Sequence, residues 1–499
     1  MLYFTGLIPT FGEWFSYDQS LRLQTEAFML GELALQPLPY GHRYDWAWGN
    51  GVQQLWGLGV PLIQLPFELI ARLFGFFGFP DRIIFLLFYV LVAIIFWKSL
   101  DSAINPNVNN IDRMRERIKL IPILLFAFLN PAFITMMRAR FQPYEEVTAY
   151  GYLWALMLFA LMHRFINNRR EYLYLLICLL AGFSPNIRPT IGAYGAVSFL
   201  IVFYLASQSR VRFRWTGLPV FMAGIIFLLV TNLLRFGSPL EFGHRLILDG
   251  DPPLDYLLKF DNHLNWLPFS SAALELLSAL FFIDLYKLNV LKEGLFWQTD
   301  VLRLREFNFK PFDSLTLFLL LLAWVVIAVV WLQNRKSSFS SDVERNGIIK
   351  WGCLLSFCSF TMLFYFYSRT PALASRYLVD FGPAIVLGIS VLYLYISDFM
   401  KDKLSQRVSL ISSITLFIAF SGWTFIGLSQ ARIAPLYQYL QEIEITNVAT
   451  AEVAQKKLVQ MKMAEGQPLP AIYRCGDQET TYGIPTNNTG WEISKDCRV

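Results

Sequence analysis

Apolar stretches of about 17–25 residues recur along most of the chain and predict membrane-spanning helices. They fall near 82–97, 120–137, 147–163, 172–184, 190–206, 216–233, 314–332, 350–367, 377–397 and 408–427, and residues 1–15 would add an eleventh. Two of them are compressed around Ser184-Pro185-Asn186-Ile187-Arg188-Pro189, because proline interrupts a helix sterically. Three long segments stand between or beyond the spans: 16–81, 234–313 and 428–499. In the first, Leu21, Ala27, Phe28 and Leu30 share a broad face, which predicts a helix along the membrane interface. Residues 53–78 are apolar but broken by Gly57, Gly59, Pro61 and Pro66; that stretch and 270–284 leave spanning, re-entrant and flat placements open.

Composition strengthens the membrane reading. Hydrophobic types make up 55% of the 499 residues and charged types 16%, against about 25% charged in a soluble domain. A disordered scaffold, a collagen-like chain and a disulfide mini-protein are excluded, and a soluble cytosolic enzyme does not fit. Cys178, Cys353 and Cys358 lie in apolar runs and read as core filler. Cys475 and Cys497 lie in the polar tail, where an oxidising compartment favours a disulfide.

The net charge of +5 matters less than its distribution. Segments 98–119, 163–171, 207–215, 334–350 and 398–407 together hold 18 Lys/Arg, whereas 138–145, 184–190 and 368–376 hold 5. The positive-inside rule puts the first set in the cytoplasm. With eleven spans, the N-terminus would be cytoplasmic and the C-terminus extracytoplasmic. The three long segments would then share the outer face, the usual place for function carried on a rigid scaffold.

Several residues predicted on that face carry chemistry. Asp18, in Trp14-Phe15-Ser16-Tyr17-Asp18-Gln19, is a candidate general base for a hydroxyl delivered from water; it is equally a cap for the helix after it. Glu145 and Glu146 follow Pro143-Tyr144, where acids stabilise a helix start. One of them facing a cavity is the sharper reading, and the sequence does not choose between the two. Gly41-His42-Arg43-Tyr44-Asp45-Trp46 mixes aromatic surface with Arg43, Tyr44 and Asp45, a combination that grips sugars or forms an interfacial belt. Arg188, Arg369 and Arg376, the last followed by Tyr377, suit an anion, since guanidinium matches phosphate oxygens; snorkelling to headgroups is the plain alternative. His244, beyond the Gly237-Ser238-Pro239 turn, is a candidate for a substrate wall.

The chain resembles a GT-C-type polytopic membrane glycosyltransferase of the bacterial group that uses polyprenyl-phosphate sugars. The resemblance rests on Tyr17-Asp18, Arg43-Tyr44-Asp45-Trp46, Pro143-Tyr144-Glu145-Glu146, Arg235-Phe236-Gly237-Ser238-Pro239-Leu240-Glu241-Phe242-Gly243 and Ser375-Arg376-Tyr377-Leu378, and covers roughly residues 1–400. It implies an all-α, GT-C-like architecture of about 11 transmembrane helices. Residues 1–427 would form the catalytic module, with interfacial helices in its outer loops, and 428–499 a small outer tail. It also implies Asp18 as base, an acid at Glu145 or Glu146 and a binding pair at Arg376-Tyr377. The implied partners are a polyprenyl-phosphate-sugar donor, a glycan or lipid acceptor and the bilayer of a bacterial inner membrane, with no nucleic acid. Many relatives carry an acidic pair in the first loop where this chain has a single Asp-Gln, so a divalent cation is left without support. A lipid-linked glycan transporter or flippase, and a polymerase or ligase of lipid-diphosphate-linked glycan, are the competing functions.

Overall fold

Long runs of Leu, Ile, Phe and Val leave the backbone to satisfy its own N–H and C=O groups, and inside a bilayer only helices or closed barrels do so. The computed structural model describes residues 14–16, 20–35, 46–55, 57–76, 78–102, 110–139, 143–208, 214–243, 269–281, 304–306, 311–334, 343–370, 372–403, 406–433, 472–475, 479–482, 485–486 and 490–491. Its helices are α1 (Ser20–Met29), α2 (Gly59–Leu73), α3 (Asp81–Asp101), α4 (Asn110–Phe128), α5 (Pro131–Ala139), α6 (Pro143–Asn167), α7 (Glu171–Ile187), α8 (Gly192–Gln208), α9 (Gly217–Phe236), α10 (Phe269–Phe281), α11 (Ser314–Asn334), α12 (Val343–Arg369), α13 (Ser375–Leu378), α14 (Gly382–Lys403) and α15 (Gln406–Ile433).

The helix boundaries follow local chemistry. Pro143 opens α6 with Glu145 and Glu146 in its first turn, and Arg164 sits in its last. Gly237, with φ of +74°, ends α9 in the left-handed conformation. Between α4 and α5 the axis bends by 43°. Pro131 begins the new helix there, and the Asn130 Oδ1 accepts the Ala132 N–H at 3.1 Å.

The protein is a multi-pass membrane protein, but the expected count of about eleven spans is not what the structure contains. Among the described residues, six helices are long and apolar enough to cross a bilayer: Asp81–Asp101, Pro143–Asn167, Pro189–Gln208, Arg214–Phe236, Lys350–Arg369 and Ser375–Ser397. The bent pair Glu116–Phe128 and Pro131–Met137 makes seven if it counts as one. The predicted span near 172–184 is the 17-residue helix Glu171–Ile187; at 1.5 Å per residue it reaches about 26 Å, short of the roughly 30 Å hydrocarbon core. The described apolar parts of α11 and α15, Ser314–Val326 and Ile414–Gly427, are shorter still. Residues 1–13 lie outside the described residues. Of the two ambiguous stretches, one contains α2, 15 residues with Pro66 inside, and the other α10, 13 residues, so neither helix is a span.

The chain is largely helical, and its described strands are short, of two to four residues. Among the described residues, four two-stranded pairings accompany the helices. β1 (Trp46–Gly49) and β2 (Gly51–Gln54) form an antiparallel hairpin, and β3 (Leu304–Glu306) runs parallel to β4 (Ala372–Ala374). β5 (Ile472–Cys475) pairs with β6 (Glu479–Tyr482), and β7 (Pro485–Thr486) with β8 (Gly490–Trp491).

Helix α6 is the axis of the bundle. Its apolar window is 94% buried, whereas that of Arg214–Phe236 is 28% buried and turns most of its surface to lipid. α3 runs parallel to α6, with Phe85 against Tyr150 at 5.1 Å near one end and Ser99 Oγ donating to the Ala160 carbonyl at 2.5 Å near the other. α7 runs antiparallel to α6, with Trp154 Nε1 donating to the Leu180 carbonyl at 3.1 Å. α7 and α9 touch backbone to backbone, because a Cβ on Gly182 or Gly224 would strike the opposing chain. α12 and α14 are antiparallel partners, tied by Ser356 Oγ to the Ala384 carbonyl at 2.7 Å. One end of the bundle therefore gathers the starts of α3, α6, α8 and α14 and the finishes of α7, α9 and α12.

The described parts of the two long loops pack on that same end. Ser16 donates its backbone N–H to Asp81 at 2.9 Å and its hydroxyl to the same carboxylate. α1 is locked to α2 by Arg22, Glu26, Glu68 and Arg72, with Arg72 bonded to Glu68 at 2.7 Å and to Glu26 at 2.9 Å. A Cβ at Gly57 would collide with the Asn186 carbonyl, so α2 starts hard against the finish of α7. The hairpin is clamped to α9 by Arg235. Its guanidinium donates to Gln53 Oε1 at 3.2 Å and to the Gln54 carbonyl, and its own carbonyl accepts the Asn50 N–H at 2.7 Å. In the second loop, Phe281 of α10 packs on Phe360 of α12 at 6.4 Å.

Candidate functional site

The first turn of α6 supplies one wall of the site. Its Thr148 hydroxyl donates to the Tyr144 carbonyl at 2.8 Å and accepts a bond from Arg188 Nη1. Arg188 occupies the extended residue between α7 and the 3-10 turn Pro189–Ile191. Its Nε donates to Asp380 Oδ2 at 3.0 Å, and Thr190 Oγ1 donates to that oxygen at 2.6 Å. The Tyr367 hydroxyl of α12 makes a third bond to it. The Tyr194 hydroxyl of α8 donates to the Asp380 backbone carbonyl at 2.7 Å. Through its carboxylate and its backbone carbonyl together, Asp380 joins the α7–α8 turn, α8 and α12 just before the start of α14. Burial disfavours the charged Arg188 guanidinium and is the largest single influence on it, but the Asp380 carboxylate together with Tyr367 and Tyr377 outweighs burial and raises its pKa above the usual arginine value.

The second arginine stands beside the first. The Arg376 guanidinium carbon lies 4.7 Å from the centre of the Tyr144 ring and 5.3 Å from that of Tyr377. The Arg188 guanidinium carbon lies 5.3 Å from the same Tyr377 ring. A closed circuit results: Arg376 to Tyr144, through its carbonyl to Thr148, on to Arg188, and through Tyr377 back to Arg376. Aromatic faces attract guanidinium through their negative quadrupole, so the rings hold two cations close together at the membrane end of the bundle.

Of the residues singled out in the sequence, Arg188, Arg376 and Tyr377 come together here, and Glu145 and Glu146 lie in the first turn of α6 beside Tyr144. Glu146 is buried and accepts a bond from Gln64 Nε2 of α2 at 2.6 Å, which ties the first loop to α6. Glu145 is half-buried in the same turn. Arg369 is half-buried in the last turn of α12, two residues from Tyr367, where a cation suits the carbonyl end of the helix. Asp18, Arg43, Tyr44, Asp45, His244 and Cys497 lie outside the described residues, and Cys475 ends β5. Cys178 and Cys353 are buried and Cys358 is half-buried, all three as free thiols.

Sequence reasoning missed Asp380, Thr148, Tyr367 and Gln64. Asp380 left one signal: an acid at the mouth of an apolar run, one turn after Arg376. Among the described residues, no group of three or more His, Cys, Asp or Glu is placed to hold a metal ion.

Compared with known proteins, the chain matches no family model, no curated protein and no solved structure.

Proposed function

We propose that the protein is an inverting glycosyltransferase that moves a sugar from a polyprenyl-phosphate donor to an acceptor hydroxyl on the outer face of a bacterial inner membrane. The observation that carries this reading is the pair of guanidiniums, Arg188 and Arg376, held against one tyrosine ring at the end of the membrane helices. Arg376 meets the donor phosphate, and the Tyr144 and Tyr377 rings keep its fork in place.

Charge at the other end supports the orientation. Lys98, Arg117, Arg164, Arg170, Arg214 and Lys350 sit at or beside the ends of the apolar membrane stretches there, and Arg117 bonds Asp101 at 2.7 Å. By the positive-inside rule that end is cytoplasmic. The apolar filling along α6 favours a transferase over a carrier, which needs a polar path through both leaflets.

In the reaction, Asp18 takes the proton from the acceptor hydroxyl. The oxygen attacks the anomeric carbon from the face opposite the phosphate, and the carbon–phosphate-oxygen bond breaks with its electrons on the phosphate. Arginine binds more tightly as that charge develops, which is how it lowers the barrier.

Envelope glycans from a strain lacking the gene are expected to be short by one sugar unit in mass spectrometry, and the wild-type gene is expected to restore it. Identical glycans in the two strains would overturn the proposal.

A further inference from the structure

Asp380 holds more of this end of the bundle together than any residue the sequence pointed to. Its Oδ2 accepts from Arg188, Thr190 and Tyr367, and its carbonyl accepts from Tyr194. Its Oδ1 is buried without a hydrogen-bond partner. Leaving a buried carboxylate oxygen without a donor is unfavourable, so helix anchoring alone would be served as well by a neutral acceptor. The charge is explained by Arg188, whose side chain is 7% exposed and would otherwise be buried beside Arg376 with no anion on its Nε. Arg188 in turn stands at the Tyr377 ring, and that ring also bears Arg376.

We propose that Asp380 is a positioning residue for the phosphate subsite: it fixes the Arg188 guanidinium against Tyr377, and the ring so held sets where the Arg376 fork stands. The inference rests on Arg376 being the phosphate ligand. Asp380 itself touches no substrate. It acts across three contacts, from carboxylate to guanidinium to ring to guanidinium. Residues coupled in such a chain depart from additivity, whereas independent ones add.

The test is a double-mutant cycle on the full-length protein in detergent micelles. The probe is a polyprenyl monophosphate, with the matching polyprenol as the phosphate-free control. Arg376→Gln is expected to weaken monophosphate binding about 100-fold and Asp380→Asn about tenfold, in line with the loss of one charge-assisted contact and the misplacement of another. The double variant is expected to bind no worse than Arg376→Gln alone. Tyr377→Leu leaves the ion pair intact and is expected to match Asp380→Asn. Polyprenol binding is expected to stay constant throughout.

Additive losses in the cycle would overturn the positioning role while leaving Arg376 as the ligand. So would Tyr377→Leu binding as tightly as wild type, a result that holds even if Asp380→Asn unfolds. Unchanged binding in Arg376→Gln would instead remove the phosphate reading and the inference with it.

Discussion

Replacing Arg188 by methionine is expected to destabilise the protein by about 3–5 kcal/mol, the usual cost of stranding one member of a buried ion pair. Methionine fills much of the same volume, so the loss is electrostatic rather than a cavity. Asp380 would keep its bonds from Thr190 and Tyr367 but lose the only cation bonded to it among the described residues. Thr148 would lose its Arg188 donor. The double variant Arg188→Met, Asp380→Asn is expected to cost less than the two single changes added together, because a neutral amide no longer needs a charge beside it. Thermal unfolding in micelles, followed by tryptophan fluorescence, reads the difference. An Arg188→Met midpoint equal to that of wild type would show that the pair contributes nothing to stability.

Asp18→Asn is expected to lower sugar transfer by about 10²–10⁴-fold, the range lost when a general base is removed. Asparagine keeps the size and polarity of the side chain but cannot take the acceptor proton. The phosphate contacts belong to other residues, so donor affinity is expected to hold within about twofold, a loss in turnover rather than in binding. The neighbouring chain is firmly held on the side of Ser16, whose N–H and hydroxyl both bond Asp81. The assay is the envelope-glycan mass spectrum of a deletion strain complemented with the variant. A full glycan at wild-type rate would remove Asp18 as the base.

Hydropathy made the membrane helices legible because a bilayer leaves few other solutions for an apolar run. It overcounted spans for a related reason. A run of apolar residues signals burial in lipid or in protein alike, and it does not report where the helix stops. Pro185 near the finish of α7 and the Asn130-Pro131 break between α4 and α5 decide that. The site was legible where charge was out of place. Arg188 and Arg376 stood out as arginines in short connecting segments that hold few basic residues, and Glu145 and Glu146 as acids opening a helix. Asp380 was hidden because its meaning comes from Arg188, 192 residues earlier, and nothing local announces the pairing. The Gln64–Glu146 bond and the Arg22–Glu26–Glu68–Arg72 lock are hidden in the same way, since each depends on how the first loop folds back onto the bundle.

The most direct test of the account is to map where a lipid phosphate binds. A polyprenyl monophosphate bearing a diazirine near its phosphate would be photolysed on the protein in nanodiscs and the labelled peptides sequenced. The account predicts label in peptides carrying Tyr144–Tyr150 or Ala374–Asp380, competed away by unlabelled monophosphate and not by polyprenol. Label confined to the basic end, around Lys98–Lys119, or competed equally by polyprenol, would contradict it.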